Sequence, residues 1–238
     1  MFWSFCAPKA GAGTSVLAAA TACELSTRLS GRRVVLVDLC GDQADLLGVD
    51  CEGKPGVVDW LQADHEVTAD ALDHLLIDVV PGLSLLPSGP LSIGDVAGRL
   101  DPARCAQLGS AFDSFDLVVA DVGTLPRNPL SPQALIAVSG THTTAVVRAC
   151  YLALRRAARL PIDVDSLVEV VEAGRSLTTL DIELVMNMGV SSRVKHDPVV
   201  ARSVDAGLLV SRRPRQLRRS VGVLIDQTLA TAEFESAA

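Results

Sequence analysis

No apolar run in this sequence reaches the roughly 18 to 20 residues that a membrane-spanning helix needs; "VLAAATACEL" ends at Glu24 and the later runs have strand length. Paired cysteines are lacking too. Cys6, Cys23, Cys40, Cys51, Cys105 and Cys150 are scattered, with no CxxC pair and no His at ligand spacing. That pattern argues against a zinc site or a disulfide framework, and most of the thiols read as small buried hydrophobes in a reducing compartment. Basic charge is in deficit: 21 Lys and Arg face 28 Asp and Glu, a formal net charge of -7. A whole-surface nucleic-acid binder is thereby disfavoured, although a local basic patch is not. Lys9 lies behind the first apolar residues rather than ahead of them, unlike a signal peptide, so a cytoplasmic protein is expected. There is no internal repeat, low-complexity tract or dividing linker, and one domain over residues 1–238 is the expectation.

What is present alternates between two periods. "MFWSFCA" reads as a short strand and "TSVLAAATACELSTRL" as an Ala-rich helix stopped by Ser30 and Gly31. "RRVVLVDL" has the continuous apolar character of a strand buried on both faces. "GVVDWLQ" and "VTADALDHLL" follow as short helices, then the strand "GLSLLPSG", the helix "LDPARCAQLGSAF" and the buried strand "FDLVVADVG". Next come "QALIAVSG" as a strand, "TAVVRACYLALRRAARL" as a helix, "DSLVEVVEAG" as a strand and "TTLDIELVMNMG" as a helix. The extended "SSRVKHD", the helix "PVVARSVDAG" and a terminal helix in "RPRQLRRSVGVLIDQTLA" complete the chain. Strands alternating with helices of this length predict an α/β fold, a doubly wound and mostly parallel sheet with helices on both faces.

Between the first strand and the first helix stands "PKAGAGTSV". Glycines at 11 and 13 before a helix start make an anion site: backbone N–H groups and the helix dipole face the ligand, and missing side chains let phosphate approach. In the usual phosphate loop a lysine reaches the outer phosphates and the next Ser or Thr hydroxyl holds Mg²⁺. Ser15 suits the second task, but Thr14 occupies the lysine position. A plain strand-to-helix turn would also account for the loop by itself.

"KAGAGTS" resembles the deviant Walker A loop, KGGxGK[ST], of the MinD/ParA family of dimeric P-loop ATPases. Lys9 matches the signature lysine, which in that family reaches the partner subunit's nucleotide. Ala10 replaces a glycine, Gly11 and Gly13 are kept, Thr14 replaces the second lysine and Ser15 matches the Mg²⁺ ligand. The resemblance thus implies ATP and Mg²⁺ as cofactors, with Lys9, Ala10, Gly11, Ala12, Gly13, Thr14, Ser15 and Val16 around the nucleotide. "RRVVLVDLCGDQADLLGV" is similar to the second strand and switch segment, with Asp38 at the first acid and Cys40 where a water-orienting Asp belongs. Asp42 and Asp45 downstream read as polar residues of a solvated switch loop. "FDLVVADVGTLP" resembles the Walker B strand, putting Asp121 with Ser15 and Asp38 in the metal set; alternatively Asp121 simply caps a buried strand.

The stretch "EAGRSLTTLDIELVMNMGVSSRVKHDPVVARSVDAGLL" looks like the C-terminal part of the CpaE/TadZ branch and of related actinobacterial septum-site proteins. By position, Glu172, Ala173, Gly174 and Arg175 would lie near the adenine, whereas Asn187 reads as structural. What the resemblance implies is a homodimer serving pilus, secretion or polar-localisation machinery of the Tad/Flp type, cytoplasmic or peripheral at the inner membrane face or cell pole.

A phosphate-contacting lysine makes a charge-assisted bond of roughly 1.5 to 3 kcal/mol, so Thr14 should weaken nucleotide binding about ten- to a hundred-fold. Hydrolysis should suffer more, because one electrostatic donor is typically worth about 10²- to 10³-fold in rate. A degenerate ATPase with very weak or absent turnover is expected, against two alternatives: a working ATPase for septum placement or DNA partitioning, and a nucleotide-free scaffold. Arg212, Arg213, Arg215, Arg218 and Arg219 precede an apolar stretch in the basic terminal segment, residues 212–238. That pattern suits peripheral contact with anionic lipid, less so DNA, or the last helix of the fold with its arginines in water.

Overall fold

The computed structural model describes residues 1–63 and 69–236. Among these residues eight strands form one sheet: β1 (Phe2–Ala7), β2 (Val34–Asp38), β3 (Ile77–Val80), β4 (Leu83–Leu86), β5 (Leu117–Thr124), β6 (His142–Val147), β7 (Ser166–Val171) and β8 (Ser192–Lys195). Their order is β3-β4-β2-β5-β1-β6-β7-β8, and every pairing is parallel except β3 with β4. The expected doubly wound, mostly parallel α/β sheet is what the chain forms.

Successive side chains on each strand divide between two apolar layers, as the pleat requires. Val35 and Val37 of β2 face the layer built on Ile136, Leu108, Ala153 and Ile182, whereas Val34 and Leu36 face the layer of Leu17, Leu25, Val221 and Leu224. Both faces being covered, the strands need no polar side, and this explains their unbroken apolar runs. The helix α1 (Thr14–Arg28) covers one face, together with the terminal helix Arg215–Ser236.

Two sequence expectations exchange places. "QALIAVSG" is not a strand but lies in the helix Pro132–Ser139, started by the Ser131 hydroxyl, which accepts from the Ala134 N–H, and by Pro132 in the first turn. "TAVVRACYLALRRAARL" is not one helix. Its beginning belongs to β6, "HTTAVV", and only Tyr151–Ala157 is helical. β-branched Thr143, Thr144, Val146 and Val147 favour the pleat, and all are buried in the centre of the sheet. The strand β3 was not foreseen, and the expected helix "VTADALDHLL" is described only as Ala69–Asp73, since residues 67 and 68 lie outside the described residues.

β1 lies between β5 and β6, and the glycine loop leaves it at the sheet's centre. Open parallel sheets place their ligand crevice at the carboxyl ends of such strands. The register of β5 against β1 runs Phe5 to Asp121 and then Cys6 to Gly123. One extra residue, Val122, is thereby accommodated as a bulge beside the loop.

Candidate functional site

Gly13 sits ahead of α1 with φ 98° and ψ 21°, and Gly11 has φ 77°. Both are left-handed backbone positions that glycine adopts without a Cβ penalty. No side chain caps the start of α1, and no acidic residue stands in its first turn. Its leading N–H groups are therefore free of side-chain acceptors and face a cleft of about 430 Å³. The loop contributes Ala10, Gly11, Gly13, Thr14, Ser15 and Val16 to the cleft walls; Cys40, Asp42 and Asp45 stand opposite, with Gly123 and Thr124 at the end of β5. Among the described residues no lysine or arginine lines it.

Asp38 and Asp121 end β2 and β5 as direct partners in the parallel ladder. Their surroundings differ. Asp38 accepts from the N–H groups of Cys40 and Gly41 on Oδ1, at 2.9 and 2.8 Å, and from Gln43 N–H on Oδ2 at 2.9 Å. Both of its oxygens are thus engaged in shaping the turn into α2 (Gln43–Leu47). Asp121 is fully buried; Oδ2 accepts from the Gln43 amide at 2.9 Å, and Oδ1 has no hydrogen-bond partner. Burial pushes its pKa up to about 7, with the Asp38 charge adding to the rise and the hydrogen bond from Gln43 opposing it. Ser15 Oγ donates to Asp42 Oδ2 at 3.5 Å.

An unpartnered buried carboxylate oxygen, a nearby hydroxyl and a second carboxylate are hard oxygen donors of the kind Mg²⁺ accepts alongside phosphate and water. Ser15, Asp121 and Asp42 therefore fit that ion. When bound, it would neutralise phosphate charge in a cleft whose own walls are acidic. Asp42 and Asp45 are exposed residues of the switch segment that also line the cleft.

Cys40 fills the space left by Gly123. A Cβ added at Gly123 would meet Cys40 Sγ at 2.4 Å, and Gly123 itself has φ 72°. Burial, with Asp121, Asp38 and Asp42 close by, holds the thiol protonated far above its ordinary range. It offers neither a base nor a carboxylate.

Beside this cleft lies a second cavity of about 250 Å³, and the two share Gly13, Val16 and Val204. Leu17, Val170, Val194 and Val200 make its lining largely apolar, while Arg148, Lys195, His196 and Asp197 are its polar groups. Arg175 is not there. It pairs with Glu172, which also holds Arg148 at 3.0 Å, and it lines a third cavity with Lys9, Gly11 and Cys150. Lys9 Nζ donates to the Ala10 carbonyl at 3.2 Å. Arg148 Nε donates to the Ala12 carbonyl at 3.4 Å, joining the end of β6 to the loop. Arg148 and Gln43 are the residues that sequence reading missed. Asn187 closes the helix Thr179–Met186 with φ 50°, a left-handed cap that Asn tolerates.

The terminal helix lays Leu217, Val221, Leu224 and Ile225 into the core against α1 and β8. Arg212, Arg215, Arg218 and Arg219 are exposed, and Arg213 donates to Val210 O and to Thr27 Oγ1. That apolar face is therefore occupied by the fold itself. Among the described residues no helix is long and apolar enough to cross a membrane.

No protein-family model matches the chain, and no curated protein sequence does. Solved structures do. The ParA family ATPase of Chlorobium tepidum superposes with a TM-score of 0.73 at 22% identity, over 92% of this chain and 95% of that one. The septum site-determining protein MinD of Pyrococcus horikoshii, solved as a complex with Mg-ADP, gives 0.73 at 18% identity over 95% of each chain. McdA of Cyanothece gives 0.70 at 13% identity, covering 94% of this chain and 99% of that one. At such identities the likeness is one of fold, and the fold is that of the MinD/ParA P-loop NTPases.

Proposed function

We propose that this chain is a nucleotide-responsive scaffold: a degenerate MinD/ParA-like protein that holds Mg-ATP at the start of α1 and hydrolyses it very slowly or not at all. It works as a homodimer, localising or assembling a Tad/Flp-type pilus or secretion machine. The observation that carries the nucleotide half is the combination of an open glycine cradle with Asp121 Oδ1, a buried oxygen that lacks a partner until a cation arrives. The loss of turnover rests on Thr14 in the lysine position and on Cys40, whose protonated thiol cannot orient water.

In this reading Ser15, Asp121 and Asp42 hold Mg²⁺, Asp38 fixes the switch turn, and the N–H groups at the head of α1 take the phosphates. The apolar cavity next door takes the base. Arg148, at the loop carbonyl of Ala12, supplies part of the positive charge that Thr14 does not. Lys9 serves the partner's nucleotide across the dimer. The pilus assignment rests on the resemblance of residues 172–209 to the CpaE/TadZ branch. Contact with an anionic membrane would be through the exposed arginines alone, because the helix behind them is packed; DNA is less favoured by the net charge of -7.

Sedimentation with and without Mg-ATP, with phosphate release followed in the same samples, tests this. An ATP-dependent dimer with turnover near background is expected. Rapid turnover would favour a working ATPase for septum placement or DNA partitioning, a reading supported by Asp42 standing 3.5 Å from Ser15. Asp42→Asn should then abolish hydrolysis. No response to nucleotide would leave a nucleotide-free scaffold, with Gln43 permanently holding Asp121.

A further inference from the structure

Away from the nucleotide cleft, three arginines surround a cavity of about 340 Å³. Arg127 comes from the segment after β5; Arg156 and Arg159 come from the end of the helix Tyr151–Ala157 and the turn that follows. All three are exposed, and none forms an ion pair or a side-chain hydrogen bond with any described residue. Among the described residues no carboxylate lines the cavity. Its remaining walls are Pro8, Thr124, Leu125, Pro126, Leu160 and Pro161.

Placement at a helix C-terminus accounts for Arg156 and Arg159 through the dipole. It does not account for Arg127, which comes from a loop. In a chain with seven more acidic than basic residues, three like charges gathered around one cavity without a counter-charge repel one another. Prolines at 8, 126 and 161 stiffen the backbone of the walls but leave that repulsion in place. An anion relieves it directly, and planar guanidinium groups match phosphate oxygens in pairs.

We propose that this cavity is a second anion site, which binds a compact phosphate-bearing small molecule such as a diphosphate or phosphate monoester. The apolar proline and leucine walls accommodate whatever carries the phosphate, and the arginines hold its oxygens. The site is separate from the glycine loop in charge and in metal need: its positive charge comes from side chains, so it requires no Mg²⁺. Thr124 nevertheless forms part of both cavities, and Pro8 directly precedes Lys9. Its occupant therefore sits against the segments that carry Asp121 and the loop.

Calorimetry with inorganic pyrophosphate in metal-free buffer containing EDTA tests the site without engaging the Mg²⁺-dependent cleft. Three proteins are compared: the parent, Arg156→Gln/Arg159→Gln, and Lys9→Ala/Ser15→Ala. The parent should bind one equivalent. The arginine variant should lose about tenfold or more in affinity for each guanidinium removed, and the loop variant should retain parental affinity. Both arginines are exposed, so the variant should keep the parental melting temperature, which is checked alongside. The proposal is overturned by absence of binding at millimolar pyrophosphate, by unchanged affinity in the arginine variant, or by loss in the loop variant only. Malonate binding as tightly as pyrophosphate would also overturn it, because the site would then read charge rather than phosphate.

Discussion

The side-chain amide of Gln43 donates to Asp121 Oδ2 at 2.9 Å and to the backbone carbonyl of Ser15 at 3.0 Å, tying β5 and α1 to the switch segment. Gln43 is itself fully buried. One buried side chain thus couples the end of β5 to the first turn of α1. Gln43→Ala removes the donor from a buried carboxylate and should cost about 1–3 kcal/mol of stability. Chemical denaturation measures it, and a change below about 0.5 kcal/mol, the level of ordinary surface substitutions, would show that the amide is not structurally important.

The elevated pKa of Asp121 has a definite sign in stability. An acid whose pKa is higher in the fold than in the unfolded chain binds its proton more tightly when folded. Stability is therefore lost as pH rises from about 4, the unfolded value, through about 7. Burial shifts Asp38 in the same direction. Asp121→Asn has no charge to bury, so its melting temperature relative to the parent should climb between about pH 5 and pH 8. A difference that stays constant over that range would contradict the assignment.

Restoring the missing lysine separates weakened binding from a relic site. Thr14 lines the cleft at the first position of α1. Thr14→Lys should tighten Mg-ATP about ten- to a hundred-fold with little gain in turnover, because Cys40 remains. Adding Cys40→Asp should then raise turnover by about 10² or more. Thr14→Lys without tighter binding would mean that the cradle no longer accepts phosphate.

Gly123 and Cys40 are coupled by space. A Cβ at Gly123 would lie 2.4 Å from Cys40 Sγ, at a φ of 72° that disfavours any side chain. Gly123→Ala should therefore destabilise the protein by more than about 1 kcal/mol, and Cys40→Ala should recover part of that loss. Strictly additive effects in a double-mutant cycle would refute the contact.

Arg148 is expected to influence nucleotide affinity through the loop. Arg148→Ala removes the donor to Ala12 O and leaves Glu172 with Arg175 as its remaining ion-pair partner among the described residues. Weaker Mg-ATP binding by about tenfold is expected; unchanged affinity would confine Arg148 to packing.

How far the sequence could be read depended on whether a signal was local. The loop, β2 and β5 were legible because glycines, a helix start and continuous apolar runs ending in an acid are contiguous in the chain. "QALIAVSG" was misread because a short apolar run fits a strand and a helix buried among neighbours equally well. Ser131 and Pro132, just ahead of it, held the helix-start signal. That error displaced β6 and hid Arg148, which gains meaning only once it stands at the end of a strand beside β1. Gln43 carried no local signal; a buried amide becomes informative only when the carboxylate it meets, 78 positions away, is in place. Cys40 was recognisable as an absent acid, but the reason a thiol fits, the missing side chain of Gly123, is visible only in three dimensions.

The most direct test of the central claim is equilibrium binding of ATP by calorimetry, into the millimolar range, with and without Mg²⁺. Because acidic residues and no cation line the cleft, Mg²⁺-dependent binding that weakens in Ser15→Ala is predicted. No binding at millimolar Mg-ATP would contradict the account.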